Sequence, residues 1–96
     1  MRKRKRQPNR RHKPLKHNFD IELDLHGMDA LDAERELQKA IYSGKYGTIL
    51  VVHGHGTGVL KRTIREFLSN NTFISGFDTG ENLNFPGGDG VTIVYV

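Results

Sequence analysis

In residues 21–25 apolar and polar positions alternate, with Ile21, Leu23 and Leu25 set against Glu22, Asp24 and His26. Period two predicts a strand with one packed and one wet face, so that Asp24 and His26 leave its C-terminal end on the same open side. Gly27 ends it. Asp29 then supplies an N-cap, and Ala30, Ala33, Leu37, Ala40 and Ile41 fall on one helical stripe, with Asp32, Glu34, Arg35, Glu36 and Lys39 around the other side. Gly44 or Gly47 is the expected cap of this helix. Thr48–Val52 reads as a second strand, apolar on both faces from Ile49 onward. A glycine turn at residues 53–58 leads into a second helix over about residues 58–68, whose apolar stripe is Leu60, Ile64, Phe67 and Leu68. Residues 73–77 read as a third strand with Gly76 as a bulge, 78–89 as a long loop, and 91–96 as a β-branched final strand.

A strand, a helix and a strand with short joints form a right-handed βαβ unit, which makes the first two strands parallel neighbours. The last two strands form a hairpin-like pair with a long connection. The predicted architecture is βαβαββ, of the α+β class: an α/β two-layer sandwich with a mixed four-stranded sheet and two helices on one side. This topology brings Asp24 and His26, at the end of the first strand, to the same sheet edge as residues 53–58 at the end of the second. Ligand sites of open sheets form at that edge.

Composition changes the picture at one end of the chain. Residues 1–19 hold nine of the fifteen Lys and Arg and no acid, whereas residues 20–96 hold six bases and all eleven acids. A basic arm of +9 is thus joined to a domain of −5 at residues 20–96. Such an arm has too little apolar surface to bury, and its electrostatic complement is a polyanion. The favoured reading is an anchor for RNA, DNA or a ribosome, with Arg4, Lys5 and Arg6 among its phosphate contacts; a solubilising tail or an import address are the competing readings. The 96 residues, 35% apolar, suit one small domain. With no cysteine there is no disulfide or thiolate metal site, and no stretch is long and apolar enough to span a membrane, so a cytoplasmic location is expected.

The candidate chemistry lies at the predicted edge. In His53-Gly54-His55-Gly56-Thr57-Gly58, three alternating glycines let consecutive backbone N–H groups approach a ligand, and the helix that follows offers its free amides to an anion. The stretch fits neither a Walker loop nor the dinucleotide fingerprint. Lys61, Arg62 and Arg65, early in the second helix, oppose the helix dipole but suit a phosphate. Asp24 and His26 supply a carboxylate and an imidazole for proton transfer at a phosphodiester. For His53 and His55 three readings stand: a nitrogen-ligand metal cluster with His26, phosphate contact, or, for His53, a bond to a loop carbonyl, with structure or phosphate ranked ahead of metal. Asn82, Asn84 and Phe85, in the long loop, are placed to reach a substrate. RNA would bring its own 2′-hydroxyl as nucleophile, whereas DNA would need an activated water and a metal such as magnesium.

Three segments in register resemble a known family: Leu23-Asp24-Leu25-His26-Gly27, then Val52-His53-Gly54-His55-Gly56-Thr57-Gly58-Val59-Leu60, then Gly87-Gly88-Asp89-Gly90-Val91-Thr92-Ile93-Val94. In that order they look like the small MutS-related (Smr) domain, over about residues 20–96. The resemblance implies a fold similar to the C-terminal domain of translation initiation factor three. It also implies a D-x-H motif at Asp24 and His26, an H-G-x-G motif at His53, Gly54 and Gly56, and activities that include nicking of DNA and cleavage of messenger RNA on ribosomes. Relatives that lack the D-x-H histidine are implied to be binding modules, and this chain keeps it.

Overall fold

The computed structural model describes residues 19–96, so Arg4, Lys5 and Arg6 lie outside the described residues. Strand β1 (Ile21–Asp24) is followed by helix α1 (Ala30–Tyr42), strand β2 (Thr48–Val52), helix α2 (Val59–Ser69), strand β3 (Gly76–Thr79), one 3-10 turn (Gly88–Gly90) and strand β4 (Val91–Tyr95). The strands form one sheet in the order β1-β2-β4-β3. β1 and β2 are parallel, with Asp24 opposite Val52, and β4 runs antiparallel to β2 and to β3. The expected βαβαββ order and mixed sheet are both present.

Asp29 caps α1 through its carboxylate, which accepts from the amides of Leu31 and Asp32. Ala33, Leu37, Ala40 and Ile41 form the buried stripe of that helix, and Ile64 and Leu68 that of α2. Both helices pack on one face of the sheet, against Ile49, Val51 and Val94, with Leu25 closing the core just beyond β1. Burial of this contiguous apolar set is the main term holding the two layers together.

The opposite face departs from expectation. Leu50, Val91 and Ile93 are buried there beneath Phe19, Leu83 and Phe85. The loop between β3 and β4 folds back over the sheet, and the Phe85 ring meets Phe19 edge-on at 5.6 Å. Phe85 is therefore packing and not a substrate contact. The loop holds its own backbone: Phe85 N–H donates to the Gly80 carbonyl at 2.9 Å, and Gly88 N–H to the Phe85 carbonyl at 2.8 Å. At Gly80 a Cβ would lie 2.2 Å from the Gly88 carbonyl oxygen and 2.4 Å from a Val91 methyl, so only glycine fits that crossing.

The third strand starts three residues later than the expected span of residues 73–77. Phe73 N–H donates to the Asn71 side-chain oxygen at 2.8 Å, a local turn that sends the Phe73 ring to Tyr42 on α1, with centroids 5.0 Å apart. Pairing begins at Gly76 opposite Tyr95, so Gly76 is a ladder residue and not a bulge.

Candidate active site

Parallel pairing sets the end of β1 beside the end of β2. Leu25 N–H donates to the Val52 carbonyl at 2.8 Å, which draws the turn after β1 against the glycine turn. Asp24 and His26 meet there: His26 Nδ1 lies 2.5 Å from Asp24 Oδ1, and the His26 backbone N–H donates to the same oxygen at 3.2 Å. Both side chains are exposed. The hydrogen bond that His26 donates to Asp24, and then the Asp24 charge, raise the His26 pKa above the ordinary 6.5, while the bonds from His26 lower that of Asp24. With Nδ1 held by the carboxylate, Nε2 is the nitrogen left for proton exchange.

The glycine turn is clasped from the far side of the sheet. The amides of His53 and Gly54 both donate to the Gly90 carbonyl, at 3.0 and 2.9 Å. A Cβ on Gly54 would stand 3.2 Å from the His26 Cβ, so the two turns touch. Between them lies a groove of about 350 Å³ lined by His26, Gly27 and Met28 on one side and residues 53–61 on the other. Gly58, at φ +90°, takes the left-handed conformation that starts α2, and the first-turn amides of that helix have no intrahelical partner. Gly54, His55, Gly56, Thr57, Gly58 and Lys61 thus line one groove with His26. Arg62 is exposed and does not line it.

His53 lies in the floor, with 4% of its surface exposed. Its Nδ1–H donates to the Gly54 carbonyl at 3.2 Å, and its Nε2 accepts from the Thr92 hydroxyl at 2.9 Å. Arg65 Nε donates in turn to Thr92 Oγ1 at 3.0 Å; its guanidinium grips the Glu81 carboxylate at 2.8 and 2.9 Å and the Val91 carbonyl at 3.1 Å. Burial, followed by the charges of Arg65 and Lys61, lowers the His53 pKa against the opposing bond to Gly54. A neutral ring with both nitrogens occupied has nothing left for phosphate or metal, so of the readings open for His53 the geometry is that of the loop bond. Arg65 is likewise consumed by the fold. Thr92 stands in the third segment of the family resemblance and Glu81 in the long loop, but neither reads in the sequence as a partner of His53 or Arg65, because those partners lie far away in the chain.

His55, two residues on, is exposed. Its Nε2 lies 2.9 Å from Asp89 Oδ1, while Lys61 Nζ donates to the other Asp89 oxygen at 3.1 Å. The bond from Lys61 dominates the lowering of the Asp89 pKa, with a smaller contribution from His55. Asp89 is absent from the candidate residues of the sequence, although its Gly-Asp-Gly setting is visible there. Among the described residues no three His, Asp or Glu side chains gather to hold a metal ion.

Comparison with known proteins gives one result. The Smr domain profile matches residues 23–96. Endonuclease MutS2 of Carboxydothermus hydrogenoformans is 36% identical over 84 residues, covering 84% of this chain and 11% of the relative. Endonuclease MutS2 of Aquifex aeolicus is 43% identical over 79 residues, covering 77% and 10%. The chain therefore spans about a tenth of the length of these relatives. The crystal structure of the Smr domain of Thermus thermophilus MutS2 is similar with a TM-score of 0.68 at 32% identity, covering 78% of this chain and 95% of that one.

Proposed function

This chain belongs to the Smr domain family, and from that premise we propose that it is an endonuclease that cleaves phosphodiester bonds, with RNA the favoured substrate. The observation that carries the reading is the Asp24–His26 pair at the edge of a groove built from glycine-turn backbone. The carboxylate fixes the imidazole and favours its protonated form; Nε2 exchanges a proton with the reacting phosphodiester. The first-turn amides of α2 and the Lys61 ammonium stabilise the charge that builds on the phosphoryl oxygens. RNA is favoured because its 2′-hydroxyl is an internal nucleophile, so that proton transfer and charge stabilisation suffice. The basic residues 1–19 supply sequence-independent attraction to a polyanion, and messenger RNA on a ribosome is a setting rich in such charge.

End-labelled RNA and DNA of matched sequence, in EDTA and in magnesium, test the reading with the intact chain beside His26→Ala. RNA should be cut in EDTA, and the variant should be slower by about 10²- to 10⁴-fold while still binding. Cutting of DNA only in magnesium would replace the reading with a metal-dependent nickase. Binding without cutting of either strand would replace it with a noncatalytic nucleic-acid or ribosome adaptor.

A further inference from the structure

We propose that His55 is a second proton carrier of the cleavage reaction, paired with His26 across one RNA phosphodiester; the inference rests on the endonuclease reading above. The two imidazoles come from different segments and border the same groove. Each is held by a carboxylate through one ring nitrogen and keeps the other: His26 is held at Nδ1 by Asp24, and His55 at Nε2 by Asp89. The second oxygen of Asp89 holds the Lys61 ammonium, so a fixed cation stands beside the His55 ring. The ring also has a built seat. A Cβ at position 90 would come within 2.9 Å of His55 Cε1 and 3.1 Å of its Nε2, so the imidazole lies close against the Gly90 backbone and a side chain there would move the ring. His53, two residues earlier in the same turn, has both nitrogens bonded inside the protein.

RNA cleavage by its own 2′-hydroxyl requires a base on one side of phosphorus and an acid on the other, and one imidazole cannot stand on both sides of an in-line displacement. In the assignment made here, His55 Nδ1 takes the 2′-hydroxyl proton as the 2′-oxygen bonds to phosphorus. The bond from phosphorus to the 5′-oxygen breaks with its electron pair on oxygen, which receives the proton from His26 Nε2. One proton is taken and one given, the products are a 2′,3′-cyclic phosphate and a 5′-hydroxyl, and exchange with solvent resets both rings. His26 is the acid because the Asp24 carboxylate bonds His26 alone, whereas the Asp89 carboxylate that holds His55 is shared with the Lys61 ammonium.

The test uses the intact chain on two RNA oligonucleotides, one ordinary and one with sulfur replacing the 5′-bridging oxygen at a single linkage. A thiolate leaves without a proton, so this substrate bypasses the acid but not the base. On ordinary RNA, His26→Ala and His55→Ala should each lose about 10²- to 10⁴-fold. On the thio linkage, His26→Ala should regain most of its loss and His55→Ala should not. Gly90→Ala, which shifts the ring without deleting it, should lose activity on both linkages as His55→Ala does but by less, and an unchanged melting temperature of His55→Ala would separate this loss from unfolding. If His55→Ala cuts ordinary RNA at the parental rate while His26→Ala is inactive, His55 is a bystander and the endonuclease reading stands. Equal rescue of both variants would also overturn the role given to His55. A parental protein that cuts neither substrate would overturn the endonuclease reading and this inference with it.

Discussion

His53 and His26 stand at the ends of adjacent parallel strands, yet they meet opposite physical fates. His53 is buried beneath the glycine turn, donates to Gly54 and accepts from Thr92, and is held neutral by burial and by the nearby cations. His26 is exposed above the same turn and held by a carboxylate that raises its pKa. The buried region fixes where the turn lies; the exposed one retains a nitrogen able to exchange protons. An imidazole is a structural or a chemical group according to its surroundings, and here the division follows burial and partners rather than motif membership.

The comparison breaks first at Arg65, which ties α2 to β4 and to the β3–β4 loop. Arg65→Ala strips Thr92, Val91 and Glu81 of a donor together. The expected loss is about 2–3 kcal/mol, below that of a fully buried pair because Glu81 is partly exposed to water. For a domain of this size that is a fall in melting temperature of roughly 10 °C or more, readable by calorimetry. His26→Ala, at an exposed position, should leave the melting temperature nearly unchanged. Comparable losses in the two variants would mean that scaffold and chemistry are not separable.

Thr92→Val sharpens the same contrast one step down. It preserves shape in a fully buried position but leaves His53 Nε2 without its donor and Arg65 Nε without its acceptor. Urea denaturation should show a loss of about 1–3 kcal/mol. Acid should loosen the buried region in two stages. Because the folded His53 pKa lies below its ordinary 6.5, the stability it contributes is full above that value and declines as pH falls through it. Glu81, lowered from 4.5 to about 2 chiefly by its bonds to Arg65, adds a second decline as pH falls from about 4.5 toward 2. Denaturation midpoints measured at descending pH should follow both steps, and Arg65→Ala should abolish the lower one.

The sequence reveals the frame of this molecule better than its fastenings. Alternation at residues 21–25, the Asp29 cap and the helical stripes are local signals, and each is realised close to where it is read. The parallel βαβ unit follows from them and brings His26 to the glycine turn. Residues 73–77 read as a strand from Phe73 onward, but the Asn71 turn and the Tyr42 ring capture Phe73, an outcome set by a helix about thirty residues away. Phe85 reads as a loop residue placed to reach a substrate until its partner, Phe19, is set edge-on against it. His53 and His55 occupy equivalent places in H-G-H-G, and only the position of Thr92 and Asp89 on the returning chain distinguishes them. Long-range partners of polar groups are what a periodicity cannot carry.

The smallest expected effect is the most specific to the exposed pair. Asp24→Asn keeps the shape of the side chain and removes its charge, and with both groups in water it should leave the melting temperature nearly unchanged. The His26 titration, followed by NMR of the ring Cε1–H, should have its midpoint above 6.5 in the parental protein and lower in the variant, since the bond to Asp24 is the first cause of the rise and its charge the second. A group with a raised pKa is protonated at and below its unfolded value and loses its proton as pH climbs through the folded one. If His26 acts as the acid, the alkaline limb of the cleavage profile must therefore move to lower pH in Asp24→Asn by the same interval as the NMR midpoint. His53, buried and shifted by burial and by Arg65 and Lys61 rather than by Asp24, should keep its own titration unchanged. A shift of the kinetic limb without a shift of the His26 midpoint would assign that limb to another group, with Asp89 and Lys61 next to be replaced.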